Sequence, residues 1–315
     1  MIAASEGFVP ATDEVWRLQR SEDPECRWFR DAVRGKPDPV AGSMQGTYVL
    51  TTSGKCLGRI NSPHPERVLE MLARALERWR QLPASERRAS APAAAAPRHR
   101  WEDSYPEGGL VLERFARDVD GSPEAEPARP VNRDAAWFSR SELAGFVPAR
   151  GEVGEAREVA PSLTARLAKF SFVDNVRGQT LPFPSKAIAE SALRSEVTAV
   201  DGDTWTLQLA GRTSASTDGS DPGEAYWKSE RPWPRSLQVD IIGEARWDAR
   251  RRQFTSFEMV AVGTRVGRTT FNGRSREAAS GPRGIGFLLR KAPADFRVAP
   301  TYVNLYGAPW IKMPE

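Results

Sequence analysis

The chain has 315 residues, 40% of them apolar, which is long enough for two folded units with a core each. Its 45 basic and 41 acidic residues leave a formal charge of +4, and the arginines are interleaved with acids along the chain, which argues against a nucleic-acid surface. No run approaches the roughly 20 apolar residues of a membrane-spanning helix, and the start, MIAASEGFVPATDEVW, has no basic segment followed by an apolar one. As written, the chain reads as soluble and cytoplasmic, and as exported only if its true start lies upstream.

Taken in chain order, the first clear elements are two short strands, Thr47 to Leu50 and Lys55 to Ile60, around the turn at Ser53-Gly54. A helix follows from Pro65 to Leu82. Its Val68, Leu72, Ala75, Leu76 and Trp79 share one face, and Ser62 with Pro63 or Pro65 marks its start. Residues 83–100, PASERRASAPAAAAPRHR, have too few large apolar side chains for a core and read as a linker. The chain thus divides into residues 1–82, a linker over 83–100, and residues 101–315.

The third part is β-rich. Asp118 to Arg133 reads as a long polar loop, and Pro161 to Phe170 as a helix, with Leu163, Leu167 and Phe170 on one side and Ser162 near its start. Glu196 to Val200 and Thr204 to Ala210 form a hairpin across Asp201-Gly202-Asp203, with Trp205, Leu207 and Leu209 on one face. Ser214 to Pro234 is a second polar loop, and it contains Trp227 and Trp233. Period-two alternation returns in Leu237, Val239 and Ile241. It returns again in Phe257, Met259 and Ala261, beyond a solvated turn that holds Arg250, Arg251 and Arg252; Gly284 to Arg290 adds another strand. Hairpins with one apolar face must bury it, so the expected class is α+β, with a mainly antiparallel β sandwich or incomplete barrel after the first part.

The segment GTYVLTTSGKCLGRINSPHPERVLEMLARALERW, residues 46 to 79, resembles the closing part of a thioredoxin domain, in which two antiparallel strands around a Gly turn lead into the last helix. Phe8-Val9-Pro10 resembles that domain's second strand, so the resemblance spans residues 1–82. In two respects the chain departs from redox-active members. It has only seven residues before Phe8, where the family places a strand and a helix opening on Cys-x-x-Cys, and Gly42-Ser43-Met44-Gln45-Gly46 lacks the cis-proline that precedes the third strand. The resemblance therefore implies a truncated, redox-inactive module.

Cys26 and Cys56 are the only cysteines, and His64 and His99 the only histidines; their spacing fits no zinc site, and the cysteines read as free thiols. No metal or cofactor is expected. Catalytic templates fail: there is no Gly-x-Ser-x-Gly elbow, His-Glu-x-x-His, P-loop or dinucleotide fingerprint, and Gly263, Gly267 and Gly273 lack P-loop spacing. The candidate ligand-binding residues are Asp174, Asn175, Arg177 and Gln179, which interrupt the apolar run Phe170 to Pro184, together with Trp227 and Trp233. A guanidinium beside a carboxylate and an amide can orient a polar ligand; the competing account is a structural Asp174–Arg177 pair at a helix end. Glu258, Asn272 and Arg274 form a second group, with Glu258 on the exposed face of its strand. The leading expectation is an accessory protein that binds a small molecule or a protein partner, with no nucleic acid and no enzymatic activity of its own. Two alternatives stand beside it: a thiol-disulfide oxidoreductase using Cys26 or Cys56, and a hydrolase using carboxylates of the β-rich part.

Overall fold

The computed structural model describes residues 2–11, 13, 15–34, 44–62, 64–88, 104–119, 131–219, 233–275 and 281–303. The chain divides into two compact units, Met1–His99 and Arg100–Glu315. No helix among the described residues is long and apolar enough to cross a membrane.

In the first unit, helices α1 (Ile2–Ser5), α2 (Val15–Arg20) and α3 (Pro24–Arg34) precede a hairpin of β1 (Thr47–Leu50) and β2 (Cys56–Ile60). Its turn contains Gly54 at φ 84°, a conformation that only glycine adopts freely. Helix α4 (Pro65–Gln81) then packs on the hairpin, and a single turn, α5 (Ala84–Arg87), follows. The face expected from the spacing is the one that α4 buries: Val68 and Ala75 are buried, and Ala75 packs with Val49 and Leu57 while Leu72 and Trp79 close over them. The Ser62 hydroxyl accepts from the His64 N–H at 3.2 Å just before Pro65 enters the first turn. Phe8-Val9-Pro10 forms no strand. It follows α1 as a bend, and Phe8 packs on the α4 cluster.

The second unit is one eight-stranded antiparallel sheet. Its strands are β3 (Leu110–Asp118), β4 (Val131–Phe138), β5 (Ala156–Glu158), β6 (Ile188–Asp201), β7 (Thr204–Thr217), β8 (Arg235–Asp248), β9 (Gln253–Gly267) and β10 (Arg283–Lys291), in the order β4-β3-β10-β9-β8-β7-β6-β5. That order is an up-and-down meander returned on itself: β10 pairs with β3, and the seam lies between the consecutive strands β4 and β5. It is the incomplete barrel of the sequence reading. Two corrections accompany it: strands β3 and β4 take both ends of the stretch read as a loop from Asp118 to Arg133, and β7 runs on through Ser214 to Thr217. The helix expected from Pro161 to Phe170 is helical to Ser171, with its second half π-helical.

That helix, α6 (Pro161–Arg166), gives way to a π-helical turn over Leu167–Ser171 that fills the barrel interior. It bridges the seam by hydrogen bonds to both sides: Arg166 Nη1 donates to the Trp137 carbonyl of β4 at 3.0 Å, and Thr164 Oγ1 donates to the Ser191 carbonyl of β6 at 2.9 Å. A 3-10 helix, Arg140–Phe146, closed by a capping box at Ser139 and Glu142, places Phe146 against Phe138, Phe254 and Phe257, with ring centroids 5.1 to 6.2 Å apart. The strands approach closely where they curve. A Cβ at Gly263 would stand 1.9 Å from the Gln238 carbonyl, so only glycine fits there. Residues 292–303 wrap the edge strand β4: the Val298 carbonyl accepts from Trp137 Nε1 at 3.1 Å, and the Thr301 N–H donates to Asp134 at 3.0 Å.

Because Phe146 is fully buried among three other rings, Phe146→Ala is expected to destabilise the second unit by about 3–5 kcal/mol. Urea unfolding followed by far-UV circular dichroism checks this; a loss below about 1 kcal/mol would show that the ring is not part of the core.

Candidate functional site

The barrel has two unlike ends. At one, β6 to β7 and β8 to β9 turn tightly through residues 202–203 and 249–252. The other receives the β3–β4, β7–β8 and β9–β10 connections, together with residues 172–187, which lead from the π turn through a 3-10 turn at Ser185–Ala187 into β6. All the second-unit candidates among the described residues, Glu258 excepted, converge on this longer-looped end.

The inner face of β3 alternates Leu110, Leu112, Arg114, Ala116 and Asp118, so the strand that starts apolar ends by pointing two charges inward. Arg114 is fully buried and satisfied by the end of the π turn. Nε donates to the Ser171 carbonyl at 2.7 Å, Nη2 to the Val173 carbonyl at 2.9 Å and Nη1 to Asn175 Oδ1 at 2.7 Å, while the guanidinium lies 4.9 Å from the Phe287 ring centroid. Burial lowers its pKa, against the opposing pull of Asp134, Tyr302 and Asp174.

Next to it lies an ion lattice centred on Arg274, which is also fully buried. Arg274 forks both ways: to Asp118 at 2.9 and 2.7 Å through Nη1 and Nη2, and to Asp174 at 3.0 and 2.8 Å through Nε and Nη2. Arg265, on the inner face of β9, stands 3.6 Å from Asp118 and 3.5 Å from Asp174. Arg177 donates from Nε to Asp118 at 2.9 Å, and Asn272 Nδ2 reaches Asp174 at 3.4 Å. Burial alone would raise the pKa of Asp118. Hydrogen bonds and charge from Arg274, with those of Arg177 and Arg265, outweigh it and hold the carboxyl below its usual range. Burial likewise works against the charge of Arg274, and the two aspartates overcome it and raise the pKa.

Beside the lattice is a crevice of about 10 Å³, the room of one water, lined by Asp174, Thr180, Arg235, Arg265, Arg268 and Asn272. Arg235 is held by the carbonyls of Leu181 and Pro182, both at 2.8 Å, and lies over Phe183. Arg268 stacks on Trp233 with its guanidinium carbon 3.7 Å from the ring centroid, and its Nε is buried with no hydrogen-bond partner among the described residues.

The sequence candidates are thus brought together, with changed partners. Asp174 joins Asn272 and Arg274, two groups read separately from the sequence. The expected Asp174–Arg177 pair does not form, because Arg177 turns to Asp118 and Asp174 is taken by Arg274. Asn175 serves Arg114. Gln179 is exposed, and among the described residues only its backbone carbonyl takes part, accepting from Thr269 Oγ1 at 3.3 Å. Trp233 forms one wall of the Arg268 stack, and Trp227 lies outside the described residues. Glu258 is exposed on the outer face, opposite Glu244 and Arg290 in register. Arg114, Asp118, Arg235, Arg265 and Arg268 were not singled out; on β3 the charges alternate with leucines and alanine, a pattern ordinarily placed with its charges on the solvent face.

In the first unit neither cysteine forms a disulfide: Cys26 is buried in the first turn of α3, and Cys56 is half-buried on β2. The Cys26 N–H donates to Asp23 Oδ1 at 3.0 Å, so a carboxylate caps the helix tip at which a reactive thiolate would need positive polarisation. Among the described residues no group of His, Cys, Asp and Glu is arranged to hold a metal ion. No protein-family model, curated protein or solved structure matches this chain.

Asp118 is ionised at a depressed pKa, so its contribution to stability is present above about pH 4, the ordinary carboxylate value, and is lost as pH falls through the lower native one. Asp118→Asn is expected to cost about 3–5 kcal/mol at pH 7 by stranding buried arginines, and to flatten the acid limb of the stability profile. Urea unfolding between pH 7 and pH 3 measures both; an unchanged acid limb would show that Asp118 does not titrate with folding.

Proposed function

We propose that this is a binding protein with no catalytic chemistry of its own, and that the longer-looped end of its barrel takes an anionic group, a carboxylate or a phosphate, in the crevice beside Arg268. The observation that supports it is Arg268 itself. It is a guanidinium braced against Trp233, with a buried Nε that no described residue engages, and it lines a space with room for one water or one ligand oxygen. Arg235 and Arg265 line the same space against a single carboxylate, Asp174, so a negative group is favoured there. The lattice around Arg274 holds the wall still, which lowers the ordering cost of binding.

The tuning of Asp118 favours binding over catalysis. A general acid or base works best with a pKa near the operating pH, and three guanidinium groups push this carboxyl the other way. In the first unit, the hairpin-then-helix order fits a thioredoxin-like scaffold, and the burial and capping of Cys26 fit one without thiol exchange.

With inorganic phosphate or citrate at about ten times Kd, the linkage gain is about 1.4 kcal/mol, which raises the melting temperature of a unit of this size by about 3–6 °C. Differential scanning fluorimetry against sodium chloride at equal ionic strength measures this, and Arg268→Ala is expected to abolish the rise while Arg268→Lys keeps only part of it. A rise no larger than that given by chloride, or turnover of a hydrolase panel that Asp174→Ala abolishes, would overturn the reading.

The thiol alternative has its own assay. The native protein is expected to leave insulin disulfides unreduced and to titrate at most one thiol with a disulfide reagent before unfolding, because Cys26 is fully buried. Reduction of insulin that is lost in Cys26→Ser or Cys56→Ser would establish the oxidoreductase instead.

A further inference from the structure

The first unit contains a groove of about 320 Å³ between β2 and α4, unconnected with the reading above. Its walls are unusual in two respects. On the strand side it is lined by four consecutive residues, Leu57 to Ile60. The pairing with β1 skips Leu57, an irregularity that lets Leu57 and Gly58 both meet α4, at Ala75 and Met71, so the groove runs along the helix side of the strand and past Arg59. The sheet has two strands, so among the described residues the outer edge of β2 is unpaired. The Ile60 carbonyl faces β1, since a Cβ built on Gly46 would stand 2.6 Å from it; alternation then turns the N–H and C=O of Arg59 away from β1 and toward the groove. The Leu57 carbonyl lies on that outer side too, accepting from Arg78 Nη1 at 2.7 Å.

The helix side presents Arg67, Met71, Arg74 and Arg78 at the i, i+4, i+7, i+11 spacing of one stripe. With Arg59, the groove has four arginines against one acid, Glu70, which pairs with Arg74. Arg59, Arg67 and Arg74 are all exposed, so their charges face solvent. Its floor is apolar, from Leu57, Ile60 and Met71. A Cβ on Gly58 would stand 2.8 Å from Met71 Sδ, so this glycine lets helix and strand approach.

From these features we infer that the groove receives an extended acidic peptide, which adds a strand to β2 through the backbone of Arg59, seats alternate apolar side chains on the floor, and sets its acids against the arginines. The open edge specifies an extended chain, the alternation of floor and rim specifies its period, and the charge imbalance specifies its sign. A nucleic acid would meet the same charge but has no use for an unpaired strand edge.

The test uses the full chain and fluorescence anisotropy of a labelled octapeptide alternating Glu and Val. Saturable binding is expected, weakened by added salt. It is expected to be lost when alternate backbone amides are N-methylated and when Lys replaces Glu. The Arg67→Glu, Arg74→Glu double variant should bind at least about tenfold more weakly, equivalent to about 1.4 kcal/mol. Its unfolding midpoint is the control for folding, and Arg67→Gln, Arg74→Gln replaces it if the charge reversal unfolds the unit. Absence of binding up to about 1 mM, indifference to N-methylation, indifference to the arginine substitutions, or tighter binding of an oligothymidylate would each overturn the inference.

Discussion

The second unit depends on one buried arginine. Arg274 has no exposed surface, and its four donor contacts to Asp118 and Asp174 join the end of a strand, the segment leaving the interior turn and the β9–β10 connection into one object. Charges at this depth cost several kcal/mol each to desolvate, and only a geometry that fills nearly every donor and acceptor offsets that cost. A planar guanidinium between two carboxylates meets the requirement, whereas an ammonium, a point charge without a fork, would leave lone pairs unmatched. The consequence is specificity of position. Residues far apart in the chain have one arrangement in which all the charges are met.

The same logic explains why the interior turn is where it is. A π-helical turn leaves carbonyls unpaired at its end, and in a barrel interior no water is at hand to satisfy them. Arg114 supplies three donors to the residues just there, and Arg166 and Thr164 tie the preceding turn to the strands on either side of the open seam. The barrel thus stays open by two edges yet has a single core. The plug substitutes side-chain hydrogen bonds for the missing strand pairing, and the wrap of residues 292–303 shields the longer edge.

How much of this the sequence revealed follows from which forces act locally. The hairpins around Asp201-Gly202-Asp203 and Asp248 to Arg252 and the helix from Pro65 are set by turn residues and by periodicity, and they form as read. Strand β3 was invisible because its inward face reads Leu110, Leu112, Arg114, Ala116, Asp118, and the two charges break the alternation by which a strand is recognised. Those charges are tolerable only because Arg274, over 150 residues away, and the turn at Ser171 come to meet them. Asp174 and Arg274 were both singled out, as members of separate groups; nothing local could say that they pair. The expected Asp174–Arg177 bond was the nearest partner in sequence, and the fold supplied a better one.

The two units use arginine in opposite ways, and this bears on what each can do. In the barrel, Arg114, Arg235 and Arg274 spend their donors on carbonyls and carboxylates of their own chain, so they define a wall and have little left to offer a ligand. Arg268 is different: it stacks on Trp233, and its Nε is unengaged among the described residues. In the first unit Arg59, Arg67 and Arg74 are exposed, and their charges flank an unpaired strand edge. An open edge without such charges would pair with any extended chain, a hazard that natural sheets guard against. Arginines there repel cationic strands and favour acidic ones, so the same residues that protect the edge also select what could join it.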